Sequence, residues 1–232
     1  MILKNASDIL RKMSHAAMSA DRPPDSVVLV AVTKTVPIDK IQEAIDAGLR
    51  IFGENRVQEA RDKIMWFQAN PHGNIGVQWH MIGHLQTNKA KQAVQLFELI
   101  HSVDSPDLAE ELNAQAAKIG KVQRVLVEVK LSAEEAKQGV SERGLIPLLT
   151  FIRDCENLKL EGLMTMPPYN PDAEAARPYF RRLCALRDEM RRAGFNLPEL
   201  SMGMSHDFTV AIQEGATMVR VGTALFGERS TA

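Results

Sequence analysis

One pattern limits this chain more than any other feature. A short apolar run, a polar turn and a longer amphipathic stretch recur eight times along 232 residues. The apolar runs fall at 27–33, 49–55, 77–83, 99–104, 123–131, 158–166, 199–205 and 217–227. The first, VVLVAVT, is continuous and rich in β-branched residues, as expected of a strand covered on both faces. The stretches between the runs have helical spacing. Ile38, Ile41, Ala44 and Ile45 share one face, and Gly48 stops the turn. Ser105, Pro106 and Asp107 open another helix, which Gly120 closes. The segment from Asp172 to Gly194 reads as one long amphipathic helix with Pro178 as an internal irregularity. An N-terminal helix over about residues 1–20 is expected to pack on the rest.

Eight strand–helix units predict a closed parallel (β/α)8 barrel of the TIM type, with residues 1–232 forming one domain. A doubly wound open sheet is the competing fold. It would place a glycine-rich turn after its first strand, whereas this turn reads TKTVP. In a barrel the C-terminal ends of the strands face the active site. That rule singles out Lys34, Asn55, His80, Ser102, Lys130, Met164, the segment from Ser201 to Ser205, and the segment from Arg220 to Thr223.

Composition excludes several classes. Basic and acidic residues number 28 and 29, so no charge excess points to nucleic acid or an acidic membrane. Cys155 and Cys184 stand outside any CxxC pattern and read as reduced thiols. No apolar run approaches a membrane span, and the N-terminus lacks the apolar core of a signal peptide. A cytoplasmic protein is expected, and the scarcity of tyrosine and tryptophan favours a monomer.

Lys34 ends the first strand. Two readings fit it: a lysine snorkelling from the barrel mouth, or an amine desolvated enough to attack an aldehyde. Lys130, at the end of the fifth strand, is its rival. The polar loop LSAEEAKQGVS that follows Lys130 lies on the same side; its Lys137–Gly139 part reads as a solvated loop, with a gate to the mouth as the alternative. The second signal is SMGMSHD followed by RVGTALFG, the turns after the seventh and eighth strands, where barrels commonly bind phosphate. Ser205 reads as an N-cap for HDFTVAI. Gly203 and Gly222 let backbone approach an anion closely, and Thr223 offers a hydroxyl. Capping and tight turns without a ligand are the alternative. A lysine at one side and a phosphate site at the other leave room for a flat phosphorylated aldehyde, a description met by pyridoxal 5'-phosphate. His80 and His84 stand four apart, but on a strand and turn rather than a helix, and no metal is assigned to them.

The motifs VAVTKTVP, FGENRVQE, WHMIGHLQTNKAK, HSVD, GLMTM, LSMGMSHDF and RVGTALFG, in this order over about residues 27–229, resemble those of the pyridoxal phosphate homeostasis proteins. That family is in turn similar to the barrel domain of alanine racemase. The resemblance implies a Schiff base between the cofactor and Lys34. It implies phosphate contacts from Ser205, Gly222 and Thr223, with Ser201 and Gly203 beside them. It places Arg220 at the pyridine nitrogen and Asn55, His80 and Met202 around the ring. Val36 departs from the family, where a polar or basic residue is common, and this affects a surface contact expected near the mouth.

The resemblance implies a carrier or regulator of vitamin B6 without established catalysis, its partners being the cofactor and pyridoxal-phosphate-dependent apoenzymes. Two physical points agree. Arg220 keeps its proton, so a ring nitrogen facing it stays unprotonated and is a weaker electron sink. (A strand-end arginine paired with Glu128 or Glu161 is the bland alternative.) Racemisation also needs a base on each face of the substrate carbon. The only tyrosines, Tyr169 and Tyr179, read as packing or surface residues. A single-domain racemase is the second reading, and a cofactor-free Schiff-base aldolase the third.

Overall fold

The computed structural model describes residues 1–70, 75–132 and 138–227. Residues 133–137 of the loop LSAEEAKQGVS, Lys137 among them, lie outside the described residues. The strands are β1 (Val28–Val32), β2 (Ile51–Glu54), β3 (Gln78–Met81), β4 (Leu99–Val103), β5 (Gln123–Glu128), β6 (Leu158–Met164), β7 (Glu199–Ser201) and β8 (Met218–Val221). They pair in sequence order, all parallel, and close into the expected barrel. The seam joins β1 to β8, with Val28 opposite Met218 and Val30 opposite Arg220.

Side-chain alternation along each strand separates two apolar regions. Val30, Val32, Ile82, Leu99, Leu126, Met164 and Met218 fill the barrel interior. Leu29, Ala31, Phe52, Trp79, Val125, Leu200 and Val219 point outward into the larger core beneath the helices. The same period aims His80 and Arg220 inward and carries Lys34, two residues beyond Val32, to the interior side of the mouth.

The helices are α1 (Ile2–Met18), α2 (Ile38–Asp46), α3 (Val57–Ala69), α4 (Ala90–Leu96), α5 (Pro106–Lys118), α6 (Glu142–Arg153), α7 (Arg177–Arg192), α8 (Phe208–Gln213) and the single turn α9 (Thr223–Phe226). The Ser105 hydroxyl caps α5 by accepting from Leu108 N, and Pro106 opens the helix. α1 packs against α8, α9 and α2 and so closes the outer ring. Asn5 and Arg22 pin this end of the chain by donating to Leu225 O at 2.9 Å and Ile212 O at 2.8 Å.

Three expected boundaries differ. The segment from Asp172 is a 3-10 turn (Ala173–Ala176) and then α7, because Pro178 occupies the first turn of a helix, where its missing N–H costs nothing. The eighth strand stops at Val221, and the remainder of its run turns into α9. The seventh stops at Ser201, and Met202 to Ser205 form the turn that follows.

Candidate functional site

A cavity of about 250 Å3 opens at the C-terminal end of the barrel. Lys34, Asn55, Ser205, Arg220, Gly222 and Thr223 all line it, together with Val32, Ile82, Met166, Tyr169, Met204 and His206. Lys34 is half-buried. It occupies the turn after β1, in which Val36 N donates to Thr33 O at 2.9 Å. Thr35, the third residue of that turn, has φ +60°. This left-handed conformation is unusual for a β-branched side chain and costs on the order of 1–2 kcal/mol. Val36 is buried in the core beneath, so it makes no surface contact at the mouth.

Arg220 forms part of the cavity wall and is only 3% exposed. It donates to Ser201 Oγ at 2.5 Å and to Thr165 O at 2.9 Å. The Ser201 hydroxyl also meets His101 Nδ1 at 2.8 Å, and His101 Nε2 lies 3.1 Å from His80 Nδ1. A polar row thus runs through the barrel interior behind the cavity. Arginine can only donate, so a consistent assignment lets Ser201 pass its own hydrogen to His101, and His101 donate in turn to His80. Burial, helped by the Arg124 cation, pushes His80 down to about 3. Burial holds His101 well below the usual histidine range, with His80, Arg220 and Arg124 adding to the effect. Burial also lowers Arg220, to about 10, against the pull of Glu128 and Asp207. At neutral pH both histidines are therefore neutral and the guanidinium is charged. Glu161, one of the two carboxylates in the alternative reading of Arg220, pairs with Arg124 and Lys159 instead.

The turn that follows Arg220 gathers backbone donors. Gly222 N and Ala224 N both donate to Ser205 Oγ, at 3.2 and 3.3 Å. The N-cap of α8 is Asp207, not Ser205, and its carboxylate accepts from Met204 N at 2.6 Å. The serine read as a cap is thereby turned toward the β8 turn, where an anion would meet the same N–H groups.

Four of the residues that the resemblance placed at the cofactor do not line the cavity. His80 and Ser201 belong to the buried row. Met202 packs outward in the helix-side core. Gly203 has φ +94°, and a Cβ there would stand 2.5 Å from Ala211 Cβ, so this glycine serves the close approach of α8. Its carbonyl accepts from Arg220 N at 3.0 Å, which ties the β7 turn to the arginine. His84 faces Asp104 at 3.9 Å and diverges from His80. Lys130 borders a neighbouring hollow with Glu128 and Ser132 rather than this cavity.

Sequence reasoning missed two features. Tyr169, read as packing or surface, stands at the cavity wall, 74% exposed, with its ring 5.1 Å from that of His206. Lys63, on α3, reaches beneath the turn that carries Lys34. Its Nζ donates to Thr33 O at 2.6 Å, Glu54 Oε1 at 2.7 Å and Glu59 Oε1 at 2.6 Å. A Glu–Lys pair four apart looks like an ordinary surface pair in sequence.

An amine at one wall, convergent N–H donors at another and a buried cation beside them suit a rigid aldehyde bearing a phosphate. The family model for the alanine racemase N-terminal domain matches residues 8–230. The pyridoxal phosphate homeostasis protein of Aquifex aeolicus is 46% identical over 224 residues, 96% of this chain and 96% of that protein. The Escherichia coli K12 protein of the same name is 38% identical over 98% of this chain and 97% of its own length. Among solved structures, PipY of Synechococcus elongatus with PLP bound superposes with a TM-score of 0.85 at 37% identity, covering 98% of this chain and all of that one.

Proposed function

We propose that this chain, which belongs to the alanine racemase N-terminal domain family and among its members to the pyridoxal phosphate homeostasis proteins, holds pyridoxal 5'-phosphate reversibly and buffers or delivers it. The observation that carries this reading is the convergence of Lys34, Arg220 and the Ser205–Gly222–Thr223 wall on one cavity. Lys34 binds the aldehyde carbon as a Schiff base, with loss of water. The Gly222 and Ala224 N–H groups, with the Ser205 and Thr223 hydroxyls, hold the phosphate. Asn55, Ile82 and Val32 line the part of the cavity where the ring would lie, and the two apolar side chains would keep water from it. Arg220, fixed by Ser201 and Thr165, faces the ring nitrogen and holds its own proton there. When bound, the cofactor supplies an electron sink, and this arginine leaves that sink weak. On this reading the chain acts as a carrier that exchanges its cargo with apoenzymes.

The test is optical and chemical. Protein loaded with pyridoxal 5'-phosphate should be yellow, and borohydride followed by peptide mass mapping should place the adduct on Lys34. Lys34→Ala should abolish the adduct while retaining some phosphate-anchored cofactor. An adduct elsewhere, or a colourless loaded protein, sinks the assignment.

One observation keeps the racemase reading in play: Tyr169 stands on the cavity wall. Steady amino-acid racemisation by wild type that vanishes in Tyr169→Phe would establish it. The carrier reading expects no steady turnover in either protein and equal cofactor retention.

A further inference from the structure

We propose that Lys63, with Glu54 and Glu59, is a positioning cluster that sets the geometry of Lys34. The inference rests on the reading of Lys34 as the cofactor lysine. The cluster lies outside the barrel wall, between the end of β2 and α3. Its two carboxylates share one ammonium, and the other side-chain bonds of the cluster end on the residues flanking Lys34. On one flank, Lys63 Nζ donates to Thr33 O at 2.6 Å, and Thr33 Oγ1 donates to Glu54 Oε1 at 2.6 Å. On the other, Thr35 N donates to Glu59 Oε1 at 2.5 Å. The peptide groups before and after Lys34 are thus anchored to a single buried cation.

Stability alone is a poor account of this arrangement. Glu54 is fully buried, and the Lys63 side chain is 9% exposed. Buried ion clusters are costly to desolvate and often contribute little net stability against apolar replacements. Here the cluster also holds Thr35 at φ +60°. Strain of that kind persists only where its surroundings over-determine it, and it gathers at functional turns. The four side-chain torsions of Lys34 remain, but fixing its Cα and both adjacent peptides removes the backbone motion that would carry the base of the side chain, and Nζ with it, away from the aldehyde. Burial pushes Glu59 up, but bonds from Lys63 and the Thr35 N–H outweigh this and leave it lowered. The carboxylate that grips the far flank is therefore ionised at neutral pH.

The test separates the covalent bond from the rest of the site by comparing two ligands. Pyridoxal 5'-phosphate can bond to Lys34. Pyridoxine 5'-phosphate carries an alcohol in place of the aldehyde and cannot. The variant is Lys63→Met combined with Glu54→Gln, which leaves no unpaired charge at the buried end. We expect it to release pyridoxal 5'-phosphate about tenfold faster, with a smaller borohydride-trapped fraction on Lys34, and to bind pyridoxine 5'-phosphate as wild type does. Unchanged release and trapping in the folded variant overturn the proposal, as does an equal loss of both ligands, which would mark a merely structural role. If the double variant does not fold, Glu59→Ala replaces it. That change removes the Thr35 anchor and one of the two carboxylates on Lys63, leaves Glu54 and the Thr33 anchor in place, and should shift release in the same direction by a smaller factor; no shift overturns the proposal. Failure of the underlying reading looks different: wild type itself would then show no adduct on Lys34.

Discussion

Thr35 shows how much a single backbone angle can ask of its neighbours. Its φ of +60° suits glycine or asparagine, and its N–H is spent on the Glu59 carboxylate. Two substitutions separate these demands. Thr35→Gly relieves about 1–2 kcal/mol of steric strain and forfeits about 0.5–1 kcal/mol to the more flexible unfolded chain. It keeps the N–H, so urea denaturation should show stability within about 1 kcal/mol of wild type. Thr35→Pro loses a bond to a charged acceptor, about 1.5–3 kcal/mol, and its fixed negative φ cannot enter the left-handed region. A loss of about 3 kcal/mol or more is expected, together with poor retention of pyridoxal 5'-phosphate. A well-folded proline variant with normal retention would show that the turn tolerates a second conformation.

Among the elements, the contact between β6 and β7 is the most demanding. A Cβ on Gly162 would lie 2.0 Å from Glu199 O and 2.7 Å from Glu199 C, both backbone atoms of the shortest strand. Gly162→Ala must push β7 away, and overpacking of this kind costs about 1–3 kcal/mol or more. Because β7 ends at Ser201 and leads into Ser205, the same variant should also retain pyridoxal 5'-phosphate less well. Gly120→Ala is the control: its Cβ meets nothing within 4 Å, so only its φ of +63° resists the change. Equal stability of the two alanine variants, measured by urea denaturation, would refute the packing argument. This glycine also marks where sequence legibility ends. The strands could be read because parallel strands covered on both faces leave continuous apolar runs, and the start of α5 because Ser105 and Pro106 obey local rules. Gly162 owes its role to strand register, which shifts within the β5–β6 pair between Val125 and Leu126. Tyr169 lies in a loop with no period to betray it. Lys34 was legible by its place after Val32, whereas the burial of Lys63 beneath that turn appears only once α3 is laid against β2.

At the scale of the molecule, the unusual feature is a buried polar row set among the apolar side chains of the barrel interior, where aliphatic side chains usually dominate. His80 and His101 lie there, faced by Arg124 and Glu161 from β5 and β6, Arg220 from β8 and Ser201 from β7. Both histidines have folded-state values below the unfolded value of about 6.5, His80 at about 3. The unfolded chain therefore binds more protons, and stability rises with pH across this window. Their contribution is complete above about pH 6.5 and drains away as the pH falls toward the folded values. Each histidine adds a slope approaching about 1.4 kcal/mol per pH unit. Between about pH 6.5 and 5, before most carboxylates of the unfolded chain titrate, these two groups should dominate the trend. Urea denaturation at pH 7, 6 and 5 should show wild type losing stability steadily. His80→Gln removes one proton uptake, and in that variant the loss over the same interval should fall by about half. An unchanged slope would mean that the interior histidines already exchange protons with solvent in the native state.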